Sequence, residues 1–239
     1  MQKRGSGPQS IRRERFWRRI RVHHLPIGAA TIAAALLLYA TRPYKDTLTK
    51  LSFATAYPAL VLTAATLLIG PWNALRRKTT PVSSDLRRDV GIWAGILAVV
   101  HTVIGQNVHL RGRPWLYYIY GPKEAHTFPL RHDRFGFANY TGLGSALLLL
   151  ALVATSNDYA LRALGTPRWK QLQRWNYVAF ALAGAHALGY QTNEKQHASF
   201  VTVVVLSIAI TAILQALGFR SRRAAARNCS PRVAVQPLQ

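Results

Sequence analysis

Hydrophobic and polar positions alternate along this chain in long blocks rather than in short periods. Six stretches, roughly 24–41, 51–70, 90–109, 136–155, 175–191 and 199–219, contain no Lys, Arg, Asp or Glu, and short clusters of basic residues separate them. Each is long enough to cross a hydrocarbon core of about 30 Å as a helix. Pro58, Gly95, Gly105 and Gly184 fall inside these blocks, and membrane helices tolerate both residue types. The pattern predicts an all-α, polytopic membrane protein with a six-helix transmembrane bundle. It divides the chain into a basic arm over 1–23, a six-span domain over 24–219 and a basic tail over 220–239. The two basic ends read as mobile.

Charge changes the picture by fixing orientation. The chain of 239 residues holds 31 Lys plus Arg against 8 Asp plus Glu, a net charge of +23. On a soluble domain that excess would point to nucleic acid, but the six apolar blocks exclude a nucleic-acid partner and make a lipid membrane the surroundings. The arm and the 71–89, 156–174 and 220–239 segments carry 22 of the basic residues, and the other three loops carry 9. The positive-inside rule therefore places both termini in the cytoplasm, as for a multi-pass protein of a bacterial inner membrane. Arg12-Arg13 ahead of an apolar run also fits an export signal, but more than ten residues separate the pair from the run and five more spans follow. The segments between spans are too short to bury a core of their own, so no dinucleotide- or flavin-binding domain is expected. The single cysteine, Cys229, excludes internal disulfides and paired-cysteine metal motifs.

Ionisable side chains inside the blocks are almost absent, which singles out His101 in the third span and His186 in the fifth. Depth arithmetic links them. His101 is 12 residues past Asp89 and His186 is 12 residues past Arg174, each the last charge of an inner loop, so both lie about 18 Å from the inner boundary. Gly105, Ala183 and Gly189 follow or precede them in helical register and leave room on the histidine faces. Two neutral imidazoles facing one another across a bundle can supply both axial ligands of a haem iron, so the metal ligands expected are His101 and His186. Arg111 and Arg113, just past the third span, are available to pair with haem propionates. The aromatic run Pro114–Tyr120 reads as an interfacial belt or as a partial lid over the cofactor. His23 and His24 read as interfacial residues, and His109, His126, His132 and His197 match no metal-ligand spacing. The basic clusters Arg76-Arg77-Lys78 and Arg87-Arg88 are explained by topology. A small transporter or proton channel using the histidines as a titrating pair is the alternative from another class, and a scaffold with structural histidines is a third.

Two motifs carry a resemblance. Leu86-Arg87-Arg88-Asp89-Val90-Gly91 leading to His101, and Leu161 to Arg174 (LRALGTPRWKQLQR) leading to His186, resemble the ferric reductase-like transmembrane domain family over roughly residues 50 to 220. Within it the likeness is to haem-binding membrane subunits of bacterial methionine sulfoxide reductase systems. The resemblance implies a b-type cytochrome that passes electrons across the membrane through haem b, an electron-transfer subunit that is not catalytic without partners. The donor would be a cytoplasmic flavin reductase or membrane quinol, and the acceptor a periplasmic reductase or ferric chelate. Related sequences often read Leu-His-Arg where this chain has Leu172-Gln173-Arg174. A second, inner haem would need ligands near Gln173 and Arg88, so one haem per chain is expected. Electrons from the inner face would then need a bound quinone or flavin, or a partner approaching through the basic inner loops, whereas quinol oxidised within the bilayer would avoid the gap.

Overall fold

The computed structural model describes residues 8–76, 82–124, 126–193 and 198–228. Eight helices account for most of it: α1 (Pro8–Arg19), α2 (Leu25–Thr41), α3 (Thr47–Leu75), α4 (Val82–Val108), α5 (Arg134–Ala154), α6 (Asp158–Gln173), α7 (Asn176–Asn193) and α8 (Ala198–Asn228). Five are long and apolar enough to cross a membrane, over Arg13–Thr41, Thr47–Leu75, Asp85–Val108, Arg134–Ala154 and Phe200–Ala225. The protein is an all-α polytopic membrane protein. The fifth expected block forms α7, which Asn176, His186, Tyr190 and Gln191 make less apolar than the rest. It packs along α5 and also meets α3 and α8.

Helices α3, α4, α5 and α7 form the inner bundle, α8 covers α3, and α2 lies outside α3 and α4. Small residues let the backbones approach, as expected where burial from water no longer drives association. A Cβ on Gly28 would meet the Trp93 ring at 2.7 Å, and one on Gly218 would meet Pro71 at 2.7 Å. The core is thin: Leu60, Ala64 and Leu67 of α3 pack on Phe180 of α7 and Val204 of α8, and Ala98, Leu149 and Ala179 form a second patch. Polar side chains tie the helices together. Ser145 Oγ donates to the Ala179 carbonyl at 2.9 Å, and Gln215 Nε2 donates to the Leu67 carbonyl at 2.7 Å. Outward-facing Ile32, Leu36 and Leu37 of α2 are more than half exposed, as a lipid-facing surface requires.

Three segments read from the sequence as ends or loops are ordered helix. The arm forms α1 and joins α2 through a π turn at Ile20–His24, so its expected mobility does not hold for residues 8–23. Four side chains hold it to α4: Arg15 reaches Asp85 at 2.9 Å, and Arg19, His23 (2.7 Å) and His24 (3.2 Å) all reach Asp89, whose side chain is fully buried. The first part of the tail continues α8 to Asn228, because Arg220–Arg227 is made of good helix formers. The 156–174 loop is mostly α6, broken at Gly165 (φ 71°, ψ 158°), a conformation that only glycine adopts readily.

Candidate functional site

The bundle does not close at its centre. Between α3, α4, α5 and α7 lies a cavity of about 190 Å³, which reaches from Thr63, Ala98 and Leu149 to Thr49, His109, Tyr117 and Gln191. Helices α4 and α7 run in the same direction through it, and the level depths of their histidines become a contact. The His101 and His186 ring centres are 6.0 Å apart, with the ring planes inclined at 70°.

The backbone sets the tautomer of both rings. His101 Nδ1 lies 3.1 Å from the Ser52 carbonyl of α3, and His186 Nδ1 lies 2.7 Å from the Ala138 carbonyl of α5. A carbonyl only accepts, so each Nδ1 carries the proton and each Nε2 is left with a lone pair. Among the described residues no hydrogen bond reaches either Nε2. This is the arrangement by which proteins orient a metal-binding imidazole. A metal–imidazole bond is about 2.0–2.1 Å, so two rings on opposite sides of one ion have their centres roughly 6 Å apart, which the observed separation matches. The donor pair and its spacing therefore fit two residues that would hold a single metal ion between them.

The walls leave space for something flat around that ion. Gly142 of α5 sits against His186, where a Cβ would come within 2.5 Å of Nδ1. Gly105, Ala183 and Ala187 also line the cavity. One end of the cavity, toward α6, is lined mainly by Ala59, Leu60, Ala98, Ala146 and Leu149. The hydroxyls there are committed, Thr63 to Ala59 O at 2.7 Å and Ser145 to Ala179 O. The other end, toward the 110–133 loop, carries Gln106, His109, Tyr117, Tyr118, Asn139, Tyr190 and Gln191.

The aromatic run closes this loop end. Two short turns, Leu110–Gly112 and Pro114–Tyr117, bring Tyr117 inward until it is 1% exposed. Its hydroxyl donates to the Gly105 carbonyl at 3.0 Å and accepts from the His109 amide at 2.8 Å. Tyr117 and Tyr118 line the cavity while Trp115 stays 54% exposed, so the run is lid on one side and surface on the other. The loop folds back through Arg131, which donates to the Leu116 carbonyl at 3.0 Å. Asp133 caps α5 through the Gly136 amide. Partial burial would raise its carboxyl, but the Gly136 amide and Arg131 outweigh that and hold it below the ordinary range.

The other sequence candidates separate. Arg113 is exposed, bonds the Leu110 carbonyl at 3.4 Å and does not line the cavity; the side chain of Arg111 and all of His197 lie outside the described residues. His109, just past the end of α4, lines the cavity and packs on Tyr190, with ring centres 6.4 Å apart. His126 and His132 flank Tyr120, and no three metal-ligating side chains cluster among the described residues. At the α6 end, Arg88 and Gln173 meet at one corner. Arg88 donates to the Ser156 carbonyl at 2.6 Å and pairs with Asp158 at 2.7 Å, and Gln173 Nε2 lies 3.5 Å from Ser156 Oγ. The Arg88 hydrogen bond keeps the Asp158 carboxyl below its ordinary range.

The family described as "Ferric reductase like transmembrane component" matches residues 51–184, more than half of the chain. The chain belongs to this family. Its membership sets the coarse function as electron transfer in a membrane. Over 187 residues the chain is 30% identical to the protein-methionine-sulfoxide reductase heme-binding subunit MsrQ of Cronobacter sakazakii, covering 72% of this chain and 78% of that protein. The subunits of the same name from Yersinia pseudotuberculosis and Yersinia pestis are 32% identical over 135 residues, and the match spans 59% and 58% of their lengths. The family match begins within α3 and ends within α7, so it contains His101, stops two residues short of His186 and leaves α1, α2 and α8 outside.

Proposed function

We propose that the chain is a membrane b-type cytochrome, the electron-transfer subunit of an oxidoreductase, with one haem b held between His101 and His186. The observation that carries this is the histidine pair itself: two imidazoles 6.0 Å apart, each with Nδ1 committed to a backbone carbonyl. Haem supplies one-electron chemistry that amino-acid side chains do not. The protein's part is ligation by two Nε2 atoms, a flat slot bounded by Gly105 and Gly142, and exclusion of water by the Tyr117 lid. The Ser52 and Ala138 carbonyls hold the Nδ1–H of each ring, orient it, and make it a stronger ligand through its other nitrogen.

In this reading the protein lies in a bacterial inner membrane with both termini cytoplasmic, and the site is nearer the periplasmic face, beneath the 110–133 loop. The name shared by the relatives makes a partner methionine sulfoxide reductase the preferred acceptor, and a ferric chelate the alternative. Electrons enter from membrane quinol or from a cytoplasmic flavin reductase docked on the basic inner surface. Arg88 and Gln173 bond to the Ser156–Asp158 corner, which supports a single haem. A proton pathway is the weaker reading, because no carboxylate lines the cavity among the described residues.

The test is a reduced-minus-oxidised spectrum of the purified full chain. A haem b signal at one haem per chain is expected, lost in both His101→Ala and His186→Ala while insertion into the membrane persists. A folded, colourless wild-type chain would end this proposal, and a full signal in both variants would end the ligand assignment.

A further inference from the structure

Two buried polar atoms without a hydrogen-bond partner lie near one corner of the loop end: Arg42 Nε and Gln191 Oε1. Arg42 ends α2. Pro43 follows it, which bars the helical conformation for the residue before, and Arg42 is extended (φ −82°, ψ 132°). Its guanidinium lies over the Phe200 ring at 3.9 Å from the ring centre. Phe200, buried at the start of α8, packs on Tyr57 with ring centres 4.9 Å apart. Tyr57 accepts from Gln191 Nε2 at 2.6 Å, and both Tyr57 and Gln191 line the cavity. Arg42, Phe200, Tyr57 and Gln191 thus form a continuous set from the α2–α3 turn to the cavity wall.

A half-buried guanidinium facing no carboxylate among the described residues is costly. So is a side-chain amide that is 92% buried, its relative exposure being 8%, with one end unpaired. Gln191 can present either its oxygen or its nitrogen by an amide flip, with Tyr57 bonding to whichever atom remains. The corner therefore lacks one thing, an acceptor group with negative charge that a guanidinium binds strongly. The α6 end of the same cavity offers nothing comparable, because its hydroxyls are committed to backbone carbonyls.

We propose that Arg42, Tyr57 and Gln191 form a carboxylate subsite at the loop end of the cavity, taken by a propionate of the haem. The assignment rests on the haem reading above and moves the propionate partner from the exposed Arg113 to Arg42, which stands behind the cavity wall, linked to it through Phe200 and Tyr57. It also sets which way the cofactor lies: carboxylate edge toward the 110–133 loop, vinyl and methyl edges toward Leu60, Ala98 and Leu149.

The experiment strips haem from the full chain in detergent and reloads it with protohaem IX or with its dimethyl ester, which lacks both carboxylates. Wild type should retain the free acid roughly tenfold better than the ester, one charge-assisted hydrogen bond's worth. Arg42→Gln and Gln191→Leu should each lose most of that preference, and Arg42→Lys should keep part of it. Arg42→Gln should also have a more negative midpoint potential with the free acid, since a cation beside the haem stabilises the added electron. Binding of the ester with a wild-type spectrum shows that a variant is folded. If wild type retains acid and ester equally, as it would were the corner filled by a carboxylate of the chain itself, or if both variants keep the preference, the subsite is wrong while the histidine pair stands. If neither form binds wild type, the haem reading falls and the subsite falls with it.

Discussion

The two ends of one helix bundle treat their polar side chains in opposite ways. At the α6 end several ion pairs are closed within the protein: Arg88 with Asp158, Arg15 with Asp85, and Asp89 with Arg19, His23 and His24. At the loop end Gln191 Oε1 and Arg42 Nε have no partner, against one such atom, Trp93 Nε1, toward the α6 end, and the helices stand apart around a cavity. Helix α4 runs through both ends, but its partners differ: α1 and α6 meet it at one end, and α7 with the end of α2 frames the other. Satisfied polar groups hold the α1–α4 and α4–α6 contacts; open ones mark where the protein expects something else. Polarity alone would have drawn attention to the wrong end, which carries more charge.

The largest test of this contrast fills the open end. Gly142→Val places a branched side chain where even a Cβ would come within 2.5 Å of His186 Nδ1. Overpacking costs about 1–3 kcal/mol, and here it falls on a ligand ring, so haem per chain should drop roughly tenfold or more in the purified protein. Unchanged haem content would show that the slot is wider than its walls indicate.

An intermediate effect comes from unpairing the satisfied end. Asp89→Asn leaves Arg19 without its buried counter-charge, a loss on the order of 3 kcal/mol. Thermal unfolding in detergent should begin at lower temperature, and limited proteolysis should cut within 8–24. Because the contact lies far from the cavity, the haem spectrum of the folded fraction should not move. A stability unchanged within error would mean that α1 contributes nothing to the bundle.

The smallest expected effect is none. Gln173→His restores a ligand type at the α6 end, yet Arg88 stays paired with Asp158 and Ser156. The ratio of haem to chain should remain one, and a rise toward two would show that the two ends differ by a single residue.

Much of this was legible in the sequence, and the exceptions have physical causes. The spans follow from uncharged block length, and the meeting of His101 and His186 follows from counting residues from the last inner charge, because 1.5 Å per residue is fixed by helix geometry. The Asp89 cluster was not legible: it pairs residues 65 to 70 apart, and nothing in the local pattern around His23 or Asp89 signals the other. Arg42 was hidden for the same reason. Arg111 and Arg113 were nearer in sequence to His101, but the fold of the 110–133 loop leaves Arg113 exposed, whereas the extended Arg42 before Pro43 lies over the Phe200 ring. The Leu-Gly-Thr-Pro motif contains the break in α6, and its Gly165 was the available signal for it.

The π turn at Ile20–His24 has a consequence for how this protein can change. A π turn holds one residue more than the α-helix it interrupts, so the direction in which α1 points its arginines is set by a single inserted position. Deleting one residue between 20 and 24 would leave an unbroken helix and rotate everything before it by about 100°. Arg15 and Arg19 would swing away from Asp85 and Asp89, and the cationic face of the arm would be offered to a different neighbour. The N-terminal helix is thus a surface that can be re-aimed by one codon without altering the bundle that holds the histidines.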